Sequence, residues 1–192
     1  MKRISTIFSA LLLAALTLSA QTTGLDGTWI FRETENKSTE QEDGKGKMDS
    51  AVTMTYRFAG DSYTLSVEAT MSLEFNVTGK DGKPLSPVLH FSVSGSNAGS
   101  LGRNGDRLTL TPARGRKPQV DAQADVQGVP GGNMMKSMVI GPMKKELTNE
   151  LKSVRDYKII SLTPTELTLE EILTEKELRQ GEKPERQVLV RR

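Results

Sequence analysis

Between residues 62 and 78, Tyr63, Leu65, Val67, Ala69, Met71, Leu73, Phe75 and Val77 alternate without a break with Thr64, Ser66, Glu68, Thr70, Ser72, Glu74 and Asn76. A period of two puts all the apolar side chains on one face of a β-strand and all the polar ones on the other, the signature of an antiparallel sheet with one dry and one wet side. At about 3.3 Å per residue such a strand would run beyond about 50 Å if straight, too long for a small domain. It must therefore bend, coil or break, and a coiled barrel supplies that curvature where a flat sheet does not.

The neighbouring segments repeat the pattern. Val52, Met54, Tyr56 and Phe58 alternate with Thr53, Thr55 and Arg57, and Ala59-Gly60-Asp61 turns this strand into the long one. Further strands are expected at 27–32, 89–94, 107–111, 157–162, 166–173 and 187–191, which brings the number to about eight. Lys80-Asp81-Gly82-Lys83 and Asn104-Gly105 read as turns, and Gly95–Gly102 reads as a bent edge or wide turn. The polar stretch 35–50 is expected to be a flexible loop. Periodicity disappears over 114–133, and a helix is expected over about 142–155, opening at Pro142 with Met143, Leu147, Leu151 and Val154 on one stripe.

The resulting expectation is a mainly β chain. It is an antiparallel up-and-down barrel or curved half-barrel of about eight strands, with one short helix in an insertion (114–155) before the last three strands. At 192 residues the chain has room for one ordinary domain. Residues 1–20 read as a signal peptide: Lys2 and Arg3 form the basic start, Ile7 to Leu18 the apolar core, and Ala20 the small cleavage residue. Residues 21–192 then form a single domain, expected in a bacterial periplasm or outside the cell, with no membrane-spanning segment.

Composition removes several function classes. The formal charge of +2 comes from 26 basic and 24 acidic residues, and removal of Lys2 and Arg3 balances the two, so no nucleic-acid partner is expected. Without cysteine there is no thiolate metal site and no cysteine nucleophile. The single histidine, His90, rules out a two-histidine zinc motif and would have to serve any Ser-His-Asp triad alone. Ser92 and Ser94 follow it on the same strand without the surroundings that orient a nucleophile, so the chain is read as a non-enzyme with no cofactor and no metal.

The residues suited to binding are few. Trp29 would stack on a bound molecule or, as a lone tryptophan opening a first strand, plug the core. Tyr56, Tyr63 and Phe91 fall on faces that line a barrel, where a phenol holds a polar group of a ligand or packs in the core. Met134, Met135, Met138 and Met143 form a soft apolar cluster suited either to a lid over a barrel mouth or to gap filling. Trp29, Tyr56, Tyr63, Phe91, Met134 and Met138 are the expected ligand contacts.

The succession Gly27-Thr28-Trp29, Tyr56-Arg57-Phe58, Gly60-Asp61, Gly105-Asp106-Arg107-Leu108-Thr109-Leu110 and Leu162 to Leu169 resembles the lipocalin-like proteins of bacterial envelopes. The resemblance implies that Trp29 closes the barrel floor and that Arg191 or Arg192 stacks on its indole. Together these readings lead to an expected exported binder of a small apolar or amphipathic molecule. The alternative is a protein-interaction module, an inhibitor or assembly factor, whose barrel is filled by its own side chains.

Overall fold

The computed structural model describes residues 24–41, 44–78, 84–128 and 132–192; the expected signal peptide and cleavage site, and the turn at 80–83, lie outside the described residues. The strands are β1 (Gly27–Gln41), β2 (Gly44–Ala59), β3 (Ser62–Thr78), β4 (Pro84–Leu85), β5 (Val88–Asn104), β6 (Arg107–Pro112), β7 (Gln119–Gln127), β8 (Arg155–Leu162), β9 (Glu166–Glu171) and β10 (Arg186–Arg191). The helices are α1 (Gly132–Lys152) and the short α2 (Glu175–Arg179).

Every pairing is antiparallel, and the order β3-β2-β1-β10-β9-β8-β6-β5 closes on itself through β3–β5. This is an eight-stranded closed barrel built from the eight segments whose alternation the sequence displays, with β7 as an extra strand on its side.

The strands differ greatly in length. β1, β2, β3 and β5 have 15 to 17 residues, whereas β6, β8, β9 and β10 have 6 to 8. The ring therefore closes only at one end. β1 is in register with β10 at Trp29–Arg191 and Ile30–Val190 and then continues to Gln41 paired with β2 alone. Along β5, one edge carries β3 from Val88 to Ser100, while the other carries β7 from Val88 to Ser96 and β6 from Gly99 to Asn104. Beyond the closed ring, β1, β2, β3, β5 and β7 continue as a five-stranded sheet whose inner face prolongs the barrel interior.

Four local expectations change. Residues 35–41 and 44–50 belong to β1 and β2, paired from Glu35–Ser50 outward to Gln41–Gly44, and are not a loop. Backbone hydrogen bonding, which is indifferent to side-chain polarity, extends the ladder through a charged stretch. Residues 95–102 lie inside β5 and are not a turn. The insertion holds the strand β7, whose Val120, Ala122, Ala124 and Val126 alternate with Asp121, Gln123 and Asp125. The helix begins at Gly132, well before Pro142, which stands inside it, and ends at Lys152, leaving Val154 outside the stripe and 57% exposed.

The closed ring is packed with its own side chains. Trp29, Tyr56, Phe58, Leu65, Leu108, Leu110, Tyr157, Leu167, Leu169 and Leu189 are all at or below 2% exposure and belong to one core cluster. Trp29 sits at the closed end, its Nε1 donating to the Leu25 carbonyl at 2.7 Å. Arg191 lies over the indole at 4.6 Å and donates from Nη2 to the carbonyls of Gly24 and Asp26 at 3.0 and 2.8 Å. Of the two arginines considered for that stacking, it is Arg191 that fills the position.

Gly95 lets α1 approach the inner face. A Cβ there would lie 2.7 Å from Leu151 Cδ1, 3.0 Å from Leu147 Cδ2 and 3.1 Å from the Gln119 carbonyl oxygen. Gly95→Val should therefore lower unfolding free energy by about 1–3 kcal/mol in urea titration, through overpacking under the helix. Gly102→Val, whose Cβ would meet nothing closer than 3.8 Å, should change it much less.

Candidate functional site

Alternation along paired strands arranges the inner face in rows. The row Trp29–Tyr56–Leu65–Asn97 lies in the closed ring, and Phe31–Met54–Val67–Gly95 lies above it. The next two, Glu33–Val52–Ala69–Val93–Ala122 and Glu35–Ser50–Met71–Phe91–Ala124, belong to the sheet extension, where β10, β9 and β8 no longer face them. α1 lies over the β5–β7 side of these rows and leaves the β2–β3 side uncovered.

The stripe Val139, Met143, Leu147 and Leu151, with a spacing of four, faces inward from α1. Leu151 is fully buried in the core cluster and Leu147 packs against it, so the last turns of the helix stopper the ring. Earlier turns run along β7 and stand off from β2 and β3, which leaves a cleft of about 640 Å3. Val52, Ala69, Met71, Phe91 and Val93 form its sheet wall, Val139, Met143 and Leu147 its helix wall, and Glu146 and Glu150 its charged rim. A predominantly apolar concavity of this size with a few polar groups at its border is the usual form of a small-molecule site.

Polar groups enclosed within the ring, below the row of Phe31, Met54 and Val67, are hydrogen-bonded to one another. The Tyr56 hydroxyl donates to Gln187 Oε1 at 3.2 Å and lies 3.4 Å from the Tyr157 hydroxyl. Burial first, and then the neighbouring Tyr157, push the Tyr56 phenol well above its ordinary value, so it stays neutral. Asn97 Nδ2 donates to the Leu151 carbonyl and to the Tyr63 hydroxyl, the latter at 3.4 Å, which ties the end of α1 to the barrel. Arg155 reaches Glu150 on the rim at 3.3 Å.

The expected contact residues separate accordingly. Phe91 lines the cleft, and Met143, part of the methionine cluster, faces it from the helix. Trp29, Tyr56 and Tyr63 lie within the packed core instead, at 0%, 0% and 4% exposure. Met134 and Met138 project into solvent at 71% and 66% exposure and do not line the cleft. The helix phase explains this: both fall off the stripe that runs from Val139 to Leu151. Sequence reasoning missed Val52, Ala69, Met71 and Val93 as site residues, although their inward phase is set by the same alternation that identified the strands. His90, Ser92 and Ser94 stand along the outer face of β5, where His90 and Ser92 line a separate shallow groove of about 590 Å3 with Asp49, Ser72 and Asp125. Among the described residues no group of three or more histidine or carboxylate side chains is placed to hold a metal ion, and no helix is long and apolar enough to cross a membrane.

No protein-family model matches this chain, and no curated protein matches its sequence.

Two ion pairs hold the outer part of α1 against β7: Lys136–Asp125 at 2.9 Å and Lys144–Asp121 at 3.1 Å. Their spacings agree, since eight helical residues rise about 12 Å and four strand residues about 13 Å. The Lys144 hydrogen bond holds the Asp121 carboxyl below its ordinary value, and Gln127 followed by Lys136 does the same for Asp125. A depressed carboxyl contributes stability above its unfolded value and loses it as pH falls through the folded one. Amide protection factors over 132–146, taken relative to the intrinsic exchange rate at each pH, should therefore fall as the solution is acidified below the ordinary carboxylate range. Asp121→Asn with Asp125→Asn should give the lower protection already at neutral pH and abolish that step.

Proposed function

We propose that the protein binds a small apolar or amphipathic molecule in the cleft between α1 and the inner face of β2, β3 and β5. The observation that carries this reading is the cleft wall. Val52, Ala69, Met71, Phe91, Val93, Val139, Met143 and Leu147 are brought together around an open volume of about 640 Å3 where complete packing of the helix would have buried them. Met71 remains 39% exposed there. Removing apolar ligand surface from water is the source of affinity, about 0.8 kcal/mol for each buried methylene. Glu146 and Glu150 at the border leave the polar end of an amphiphile in water. The lipocalin-like resemblance agrees with this reading in architecture, but the binding place differs from its expectation, because the ring itself is full.

The filled ring and the projecting Met134 and Met138 favour a second reading, in which α1 presents its outer side to another protein. The two separate by experiment. Native mass spectrometry of protein purified from its own host should show a co-purifying small molecule, and a fluorescent acyl probe should bind the stripped protein. Phe91→Asp should weaken probe binding at least tenfold, the order expected for placing a charge in an apolar wall, while Met134→Ser with Met138→Ser should leave it unchanged. The reverse ranking of the two variants, or a protein that takes up no apolar probe, would exclude the cleft as a binding site.

A further inference from the structure

The outer wall of the barrel departs from ordinary sheet patterning at the seam between β1 and β10. Inward, Gln187 and Leu189 are 3% and 0% exposed, as a barrel requires. Outward, the solvent face of β10 carries Val188 and Val190, 47% and 57% exposed, where a polar residue would be expected. Ile30 stands in register with Val190 and joins the valines across the seam. Ile30, Val188 and Val190 form the apolar floor of a concavity of about 560 Å3 whose remaining lining residues are Arg32, Arg191 and Arg192.

Charge on this face is biased in one direction. Arg57, opposite Thr28 on β2, points to the same side and is exposed. Arg32, Arg57 and Arg192 make no ion pair among the described residues, whereas Arg191 is engaged with Trp29 and the carbonyls of Gly24 and Asp26. The carboxylates in register with the patch are Glu166, opposite Val190 on β9, and Glu68 on β3, two strands from Arg32 through Thr53. Three uncommitted guanidinium groups thus surround an apolar floor in a chain whose positive and negative residues are otherwise nearly equal in number.

Guanidinium groups match phosphate oxygens in geometry as well as charge. A nucleic acid would engage the arginines but leave the valines and the isoleucine without a partner. The headgroup boundary of an anionic bilayer satisfies both, taking short apolar side chains into its upper layer and placing phosphates around them.

We propose that the β1–β10 seam docks the protein reversibly on an anionic lipid surface, with Ile30, Val188 and Val190 in the headgroup boundary and Arg32, Arg57 and Arg192 on the lipid phosphates. This contact uses the outer face of the wall and is independent of the cleft on its inner face.

The test is co-sedimentation of the intact protein with vesicles of phosphatidylcholine alone and of phosphatidylcholine mixed with phosphatidylglycerol. The mixed vesicles should bind it about tenfold or more strongly, as expected for a few arginines at the surface, and added salt should weaken that binding steeply. Arg32→Glu with Arg192→Glu, and separately Val188→Ser with Val190→Ser, should each reduce partitioning several-fold. Arg116→Glu with Lys158→Glu, the same charge change placed on a loop and on the outer face of β8, should retain most of it. Thermal melting checks that the variants fold, and Val190→Ser with Arg57→Glu reads the same surface should either seam pair fail to fold. Equal binding to both vesicle types, no binding to either, or equal losses in the seam and control charge pairs would overturn the proposal. So would vesicle binding that Val188→Ser with Val190→Ser leaves unchanged, or seam-dependent binding of a short DNA duplex without vesicle binding.

Discussion

A strand edge holds one partner at any point along its length, and β5 divides its edge between two. From Val88 to Ser96 it carries β7, and from Gly99 to Asn104 it carries β6. β6 leads to β8 and closes the ring, while β7 leads to α1 and the cleft. The exchange is possible because the strand has no side chain at the two crowded places. A Cβ on Gly99 would lie 2.0 Å from the Thr111 carbonyl oxygen and 2.8 Å from Tyr63 Cε1. At Gly95 the obstacle is the pair of leucines that anchor α1. The same glycine-bearing segment therefore permits both the closed barrel and the helix that stands over its open end.

Filling of the ring follows from the short strands that close it. With β6, β9 and β10 only six residues long, the closed section is about as deep as one large side chain layer on another. Trp29, Tyr56, Phe58 and Tyr157, with the surrounding leucines, occupy it completely. Space remains above, where β1, β2, β3 and β5 continue, joined by β7, without the four short strands. There the inner face keeps its apolar character, and α1 covers only the β5–β7 side of it. The Tyr56–Gln187–Tyr157 hydrogen bonds satisfy polar groups enclosed within the ring, and Phe31, Val67 and Leu151 lie in the same core cluster.

The barrel was legible in the sequence because its evidence is local: every one of the eight ring strands shows alternation over at least a few residues, and Trp29 with Arg191 marks the closed end. β7 shows the same alternation in Val120, Ala122, Ala124 and Val126, but two alanines among acidic and amide residues give little contrast in hydropathy. The continuation of β1 and β2 through 35–41 and 44–50 was hidden for a related reason, since ladder bonds between main chains leave no mark on composition. The early start of α1 went against Pro142, which removes one helical hydrogen bond yet is tolerated on an exposed turn. Of the site, Phe91 was readable as an inward aromatic. Which inward residues remain uncovered depends on where α1 lands, a tertiary fact carried by Gly95 and the two lysine–aspartate pairs and by no local pattern.

The central claim is that the apolar space of this molecule lies beneath α1 and outside the closed ring. A nitroxide-bearing medium-chain amphiphile, titrated into isotope-labelled protein and followed by paramagnetic broadening of side-chain resonances, tests it most directly. Broadening should concentrate on the methyl and ring signals of Met71, Phe91, Val93 and Met143 and spare the Trp29 indole and Leu189. Broadening strongest at Trp29, Leu189 and their neighbours would place the ligand inside the ring and contradict the account.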